Sequence, residues 1–538
     1  MACKAEVLSK YGVCAVDRSP VHRLVVLACT AALTACGGSG SAPATGVSVV
    51  AEGSTKTPET TPAPSPTPTA TPAPSPRGQI GVSAVPASYY GTERIWANLA
   101  YRASEWMNVV GGLNQYGNPN TAGRIFLQAP NDVLLGKATR ITCTWQGNGA
   151  AFVNGSVPNW VKSDTRTISF VWQPAGPPGK HGGVWFDLSG SDGTFRDLDC
   201  REPSVVANGR LDQRYVDDMK LYSVVRFLDW STANSNAPIS WATRSLPNHQ
   251  RSGTFTGDQP LEDQIEIANA IGGDAWFTIP WNADDDYIRR MATLIRDTLK
   301  GKAYFETGNE VWNWMFKVTG QAQAEGEAAN LAGSGNKWDN MFLRYAQKTI
   351  EQNKIVTDVF KAQPNRLVRV ASFQSGNTVA MNIFLRYPDA INWVDAFADA
   401  PYFGVNDLNT TTRYTGTQAD LFAKVEVERK KSIALTSNIA AAAKKLGKLS
   451  MIYEGGNGTI SSEINADINE EMQRSPLMEA AYDRYLADLR AVHTGPIMLY
   501  NSTGPTSRFG SWGQHEFTGQ PLANAPKRRA IMTAVGAR

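Results

Sequence analysis

Apolar positions in this chain follow two alternating rhythms. Short runs of apolar and β-branched residues are followed by longer stretches in which apolar positions return every three or four residues. The first rhythm suits strands buried on both faces, and the second suits helices that cover a sheet. Eight strands are predicted in this way, at 80–85, 223–228, 275–279, 303–308, 367–372, 396–402, 449–453 and 496–500. Helices are predicted at 96–109, 261–270, 283–299, 337–352, 421–446 and 476–492. Repeated strand-then-helix units read as an α/β fold, a (β/α)8 barrel of the TIM type. Asn282 with Asp284, Asp285 and Asp286 reads as the capped, acidic start of a helix rather than as a metal cluster.

Between the first predicted helix and the second strand the rhythm changes. Stretches at 140–145, 167–172 and 183–188 alternate apolar with polar residues, are rich in Thr, Val, Phe and Trp, and are separated by Gly, Pro and Asn. Residues 121–203 are therefore expected to form an inserted β-rich module. The module reads either as a carbohydrate-binding unit or as a structural flap that borders a cleft.

Ahead of the barrel, residues 36–77 are mostly Gly, Ser, Thr, Ala and Pro and end in Thr-Pro-Ala-Pro-Ser-Pro repeats. Such a composition cannot bury a core and favours an extended linker. Residues 1–35 read as an export signal, because Arg18, His22 and Arg23 lead into an apolar run from Leu24 to Leu33. That run is about half the ~20 residues a membrane-spanning helix needs. Leu33-Thr34-Ala35-Cys36 resembles a bacterial lipobox, in which cleavage before the cysteine leaves Cys36 to carry lipid; the alternative is a plain signal peptide with an incidental cysteine. The expected location is the bacterial cell envelope, as an outer-membrane lipoprotein whose N-terminal lipid holds it to the membrane and whose barrel spans 78–538.

Of the 6 Cys, Cys3, Cys14 and Cys29 fall in the signal and Cys36 is the lipidation candidate. Cys143 and Cys200 remain in the globular part, where export favours a disulfide between them. Neither the cysteines nor the 5 His stand at metal-ligand spacings, so no metal and no cofactor is expected. Lys+Arg at 52 against Asp+Glu at 49 leaves a formal charge of +3 without a basic run, which disfavours nucleic acid as a partner. The 15 Trp are numerous and offer flat apolar faces of the kind sugar rings stack on, although most tryptophans serve in packing.

Two predicted strands end in a carboxylate. The fourth runs Tyr304-Phe305-Glu306-Thr307-Gly308-Asn309-Glu310, and the seventh runs Leu449-Ser450-Met451-Ile452-Tyr453-Glu454-Gly455-Gly456. Catalytic groups of barrels stand at the C-terminal ends of strands. Side chains alternate along a strand, so Glu306, Gly308 and Glu310 are expected on one face, with Glu310 at the mouth and Glu306 in a buried hydrogen-bond network below. A carboxyl at a partly dehydrated mouth has its pKa raised, as a general acid requires.

Asn309-Glu310 ending the fourth strand and Glu454 ending the seventh resemble the clan A glycoside hydrolases, retaining (β/α)8-barrel enzymes that cleave poly- or oligosaccharides. Glu306-Thr307-Gly308-Asn309-Glu310 is similar to the Glu-Leu-Gly-Asn-Glu of the arabinofuranosidase, xylosidase and glucuronidase branches. The resemblance spans about 79–538 apart from the insert. It implies Glu310 as acid/base, Glu454 as nucleophile, and Asn309 as a partner of the sugar 2-hydroxyl. It further implies Arg226 and Tyr402 as groups that hold the nucleophile, and Trp512 as a sugar-stacking residue. Trp281 and Trp312, with Trp230 and Trp314, follow strand ends by a few residues and are read either as sugar platforms or as loop packing. The clan often carries a His on strand four or six, and none stands there in this chain. Two other readings use the same residues: a non-catalytic glycan-binding surface lipoprotein, against which the retention of both acids argues, and a transglycosylase.

Overall fold

The computed structural model describes residues 78–249, 258–333 and 336–537. The export signal, the Pro-rich linker and Cys36 lie outside the described residues. Eight parallel strands close into a barrel in chain order: Ile80–Ser83, Val224–Arg226, Asp274–Ile279, Ala303–Thr307, Leu367–Ser372, Ala396–Asp399, Leu449–Ile452 and Ile497–Leu499, the last pairing with the first. Alternation divides each strand between two cores. Val225, Phe277, Phe305, Ile452 and Ile497 pack outward with Val216, Ile265, Met291 and Ile295 of the helices. Val224, Trp276, Tyr304, Val370, Ala398, Met451 and Met498 form a separate cluster that fills the lumen. Arg226, Glu306 and Ser372 stand two residues beyond Val224, Tyr304 and Val370, so the pleat carries them to the top of that lumen layer.

The helices begin where side chains supply caps. Asp284 accepts a bond from the Tyr287 amide at 2.7 Å, as the acidic start at 284–286 predicts. Thr417 and Asp420 form a reciprocal capping box at the start of Gln418–Lys445.

The β-rich insert is a sandwich. One sheet runs in the order Met107–Val110, Ala122–Phe126, Val184–Ser189, Ala150–Gly155, Val161–Ser163; the other runs Thr167–Trp172, Thr139–Gln146, Arg196–Arg201. Ile125, Ile141, Trp145, Val153, Phe170, Trp172 and Phe186 form its shared core. Cys143 and Cys200 face each other across neighbouring antiparallel strands and are joined by a disulfide.

The start of this region departs from the sequence expectation. No helix forms at 96–109: Arg102 adopts φ 53°, a left-handed conformation that interrupts any right-handed helix. Trp96 packs into the barrel core while Leu99, Ala100 and Trp106 pack into the sandwich core, so the apolar spacing there reflects burial on two sides. The first helix of the barrel is Gln213–Met219, after the sandwich. The insert therefore separates the first strand from the first helix, and its sheet begins at Met107 rather than at 121. Met107–Val110 is a half-exposed edge strand whose pattern carries little signal.

Candidate active site

Arg226 is the hub of the mouth. It ends the second strand, is fully buried, and reaches two carboxylates. Its Nη1 donates to Glu454 Oε1 at 2.7 Å, while its Nε and Nη2 donate to Glu306 Oε2 at 3.1 and 2.9 Å. Glu306 also accepts from Trp276 Nε1 at 2.9 Å and from Ser372 Oγ at 2.5 Å. This is the buried network expected of a carboxylate below the mouth, with both oxygens satisfied. Arg226 Nη2 lies 3.2 Å from Asn309 Oδ1, and Asn309 Nδ2 donates to Asn234 Oδ1 at 2.8 Å.

Glu454 is buried at the exit of the seventh strand, and its second oxygen accepts from the Tyr402 hydroxyl at 2.9 Å. Burial pushes its carboxyl up, opposed by the Arg226 guanidinium and by the hydrogen bonds from Tyr402 and Arg226. Glu310 sits among neutral donors instead: Oε1 accepts from the Tyr453 hydroxyl at 2.8 Å and Oε2 from Asn313 Nδ2 at 2.7 Å. Burial and then the neighbouring Glu454 charge push its carboxyl up to about 7. Burial raises both carboxyls; a cation contacts Glu454 directly and none bonds to Glu310 among the described residues, so the rise is opposed more strongly at Glu454. Asp229, just past the second strand, is likewise pushed up to about 7 by burial and the Glu454 charge, with Arg226 opposing.

The structure brings Glu310, Glu454, Asn309, Arg226 and Tyr402 together as the strand-end positions imply. It corrects the expected shared face of Glu306, Gly308 and Glu310. The fourth strand stops at Thr307, and Gly308 (φ 62°) and Glu310 (φ 41°) are both left-handed, so Glu310 leaves the line of the strand. Glycine suits position 308 because L residues avoid this left-handed conformation, and a Cβ there would also sit tightly against Val311 Cγ2, at 3.3 Å.

The tryptophans divide. Trp281 is 2 % exposed, packs with Val311, Val318 and Phe342, and donates to Glu325 at 3.3 Å; it offers no face to a sugar and is corrected to a packing residue. Trp230 is buried and donates to the Ala84 carbonyl. Trp312 is half-buried against the same cluster as Trp281. Trp512 is half-buried and meets Tyr500, at the end of the eighth strand, edge to face at 6.0 Å.

Six residues of the site carry no assignment from the sequence: Tyr453, Trp276, Ser372, Asn313, Asn234 and Asp229. Tyr453, Trp276 and Ser372 were legible in principle, because each stands two residues beyond a lumen-facing residue or among them in the alternation. Asn313 carried no signal, since it reaches Glu310 only through the tight turn in which its amide donates to the Glu310 carbonyl at 2.7 Å.

Fold and site together define a closed (β/α)8 barrel with paired buried carboxyls at the ends of strands four and seven. No family model and no curated protein sequence matches the chain. Among solved structures it is similar to a 4-O-α-L-rhamnosyl-β-D-glucuronidase from Fusarium oxysporum, at 11% identity over 58% of this chain and 61% of that one, with a TM-score of 0.37. It is similar also to an arabinofuranosidase from Xanthomonas axonopodis pv. citri, at 11% identity over 57% and 63% of the two chains, TM-score 0.37. A modular endo-β-1,4-mannanase from Cellulomonas fimi matches at 14% identity over 58% and 63%, TM-score 0.31. The match spans less than two thirds of each of these glycosidases. Likeness at this distance says nothing of what the chain acts on.

Proposed function

We propose that the chain is a retaining glycoside hydrolase acting on a poly- or oligosaccharide. The observation that carries this reading is the contrast between two neighbouring buried carboxyls: Glu454 is held by Arg226 and Tyr402, and Glu310 is held by neutral donors and pushed up to about 7. A guanidinium at 2.7 Å favours the ionised form that a nucleophile needs. A carboxyl titrating near neutrality suits proton delivery and recovery. In the first displacement Glu454 attacks the anomeric carbon while Glu310 gives its proton to the leaving oxygen, so the glycosidic bond breaks as the glycosyl–enzyme ester forms. In the second, Glu310 takes a proton from water, which attacks the same carbon and frees Glu454.

The test is a screen of plant and microbial polysaccharides and 4-nitrophenyl glycosides with wild type, Glu310→Ala and Glu454→Ala. Cleavage by wild type that both substitutions abolish supports the reading; full activity in either variant refutes it. We further propose that Cys36 is acylated and holds the enzyme at the cell envelope. Labelled palmitate incorporated by wild type but not by Cys36→Ala is the expected result, and equal labelling refutes it.

A further inference from the structure

Two tryptophans and a methionine lie exposed on the strand-four side of the mouth. Trp314 is 54% exposed, Trp338 43% and Met315 38%. Isolated apolar residues on a surface need no explanation, but these are grouped. The Trp314 and Trp338 rings meet edge to face with centroids 6.4 Å apart, and Trp338 is backed by Phe342 at 6.0 Å.

Their place in the fold ties them to Glu310. Trp314 directly follows Asn313, whose side chain donates to Glu310 and accepts from the Met315 amide at 3.0 Å. Asn313 therefore fixes the acid and the start of the aromatic group in one turn. Trp338 stands in the first turn of Lys337–Phe360, where Asn336 caps its amide at 3.1 Å. In a (β/α)8 barrel the helix runs back antiparallel to its strand, so its N-terminus lies at the mouth. Both indoles are thus on the catalytic face, in the segment of chain that follows Glu310.

We propose that Trp314 and Trp338 form a shelf that stacks the leaving-group sugars of the substrate, on the outer side of Glu310. This rests on the glycosidase reading above. The group that Glu310 protonates is the oxygen of the departing sugar, so the surface continuing past Glu310 is the one that sugar and its neighbours cover. An indole presents a flat apolar face to the C–H face of a pyranose, and its edge-to-face partner holds it rigid. A glycan chain is the occupant this arrangement fits, because the shelf is continuous with the acid that acts on that chain.

The experiment compares two substrates sharing one glycone: an oligosaccharide fragment of a polysaccharide that wild type cleaves in the screen, and the matching glycosyl fluoride, whose one-atom leaving group cannot reach the shelf. In Trp314→Ala and in Trp338→Ala, the ratio of kcat/KM on the oligosaccharide to kcat/KM on the fluoride is expected to fall about tenfold, the size of one lost aromatic contact. Trp314→Phe is expected to keep most of the ratio. An unchanged ratio, including equal loss on both substrates, overturns the shelf. A wild type that cleaves nothing in the screen overturns the glycosidase reading itself, a different result from failure of the shelf.

Discussion

Replacing Glu310 with Gln keeps the shape of the side chain and one acceptor for Tyr453 or Asn313, but removes the titration. In the fold the Glu310 carboxyl is pushed up to about 7 from an ordinary 4.5, by burial first and the Glu454 charge second. The folded protein therefore holds this proton more tightly than the unfolded chain. Stability from Glu310 is fully present below about pH 4.5 and is lost as pH rises to about 7, where the folded form must also ionise. A shift of this size corresponds to about 3 kcal/mol of unfolding free energy. The expected outcome is that Glu310→Gln matches wild type, or falls slightly below it, at pH 4.5, and gains on it by about 3 kcal/mol by pH 8. Urea unfolding of both proteins across that range measures the difference. The same proton sets activity, so kcat/KM of wild type falls on the alkaline side of about pH 7. A stability difference that does not grow between pH 4.5 and 8 refutes the electrostatic account of Glu310.

Glu306→Ala leaves the Trp276 indole, the Ser372 hydroxyl and two nitrogens of Arg226 without their acceptor; breaking such a buried pair costs about 3–5 kcal/mol, readable by chemical unfolding, and a loss below 1 kcal/mol contradicts it. Tyr402→Phe removes a hydrogen bond to Glu454, so kcat/KM is expected to drop about 10- to 100-fold. Because that bond holds the Glu454 carboxyl down, the acid limb of the pH profile should move to higher pH, and an unmoved limb counts against the role. Cys143→Ala opens a disulfide closing 57 residues; chain entropy puts the loss at about 4 kcal/mol, and thermal unfolding that matches wild type excludes it.

Much of the barrel was legible because its strands are apolar runs buried on both faces, and the strand-end acids followed once the strands were counted. Arg226 and Tyr402 were placed by strand position together with resemblance. What the sequence hid lies where local pattern and three-dimensional burial diverge. Leu99 and Trp96 mimic one helical stripe but face two different cores. Trp281 looks like a cleft residue by its distance from a strand end, yet its loop folds back onto the helices. Glu310 left the strand alternation because two successive left-handed turns, at Gly308 and Glu310, cannot be read from residue types alone.

In the proposed reaction Glu454 becomes covalently bonded to sugar. The most direct test is mass spectrometry of the protein treated with a 2-deoxy-2-fluoro glycoside of the glycone found in the screen, followed by peptide mapping. One added fluorosugar per chain is expected, on the peptide containing Glu454, and none in Glu454→Ala. A label on Glu310, Glu306 or any other residue contradicts it.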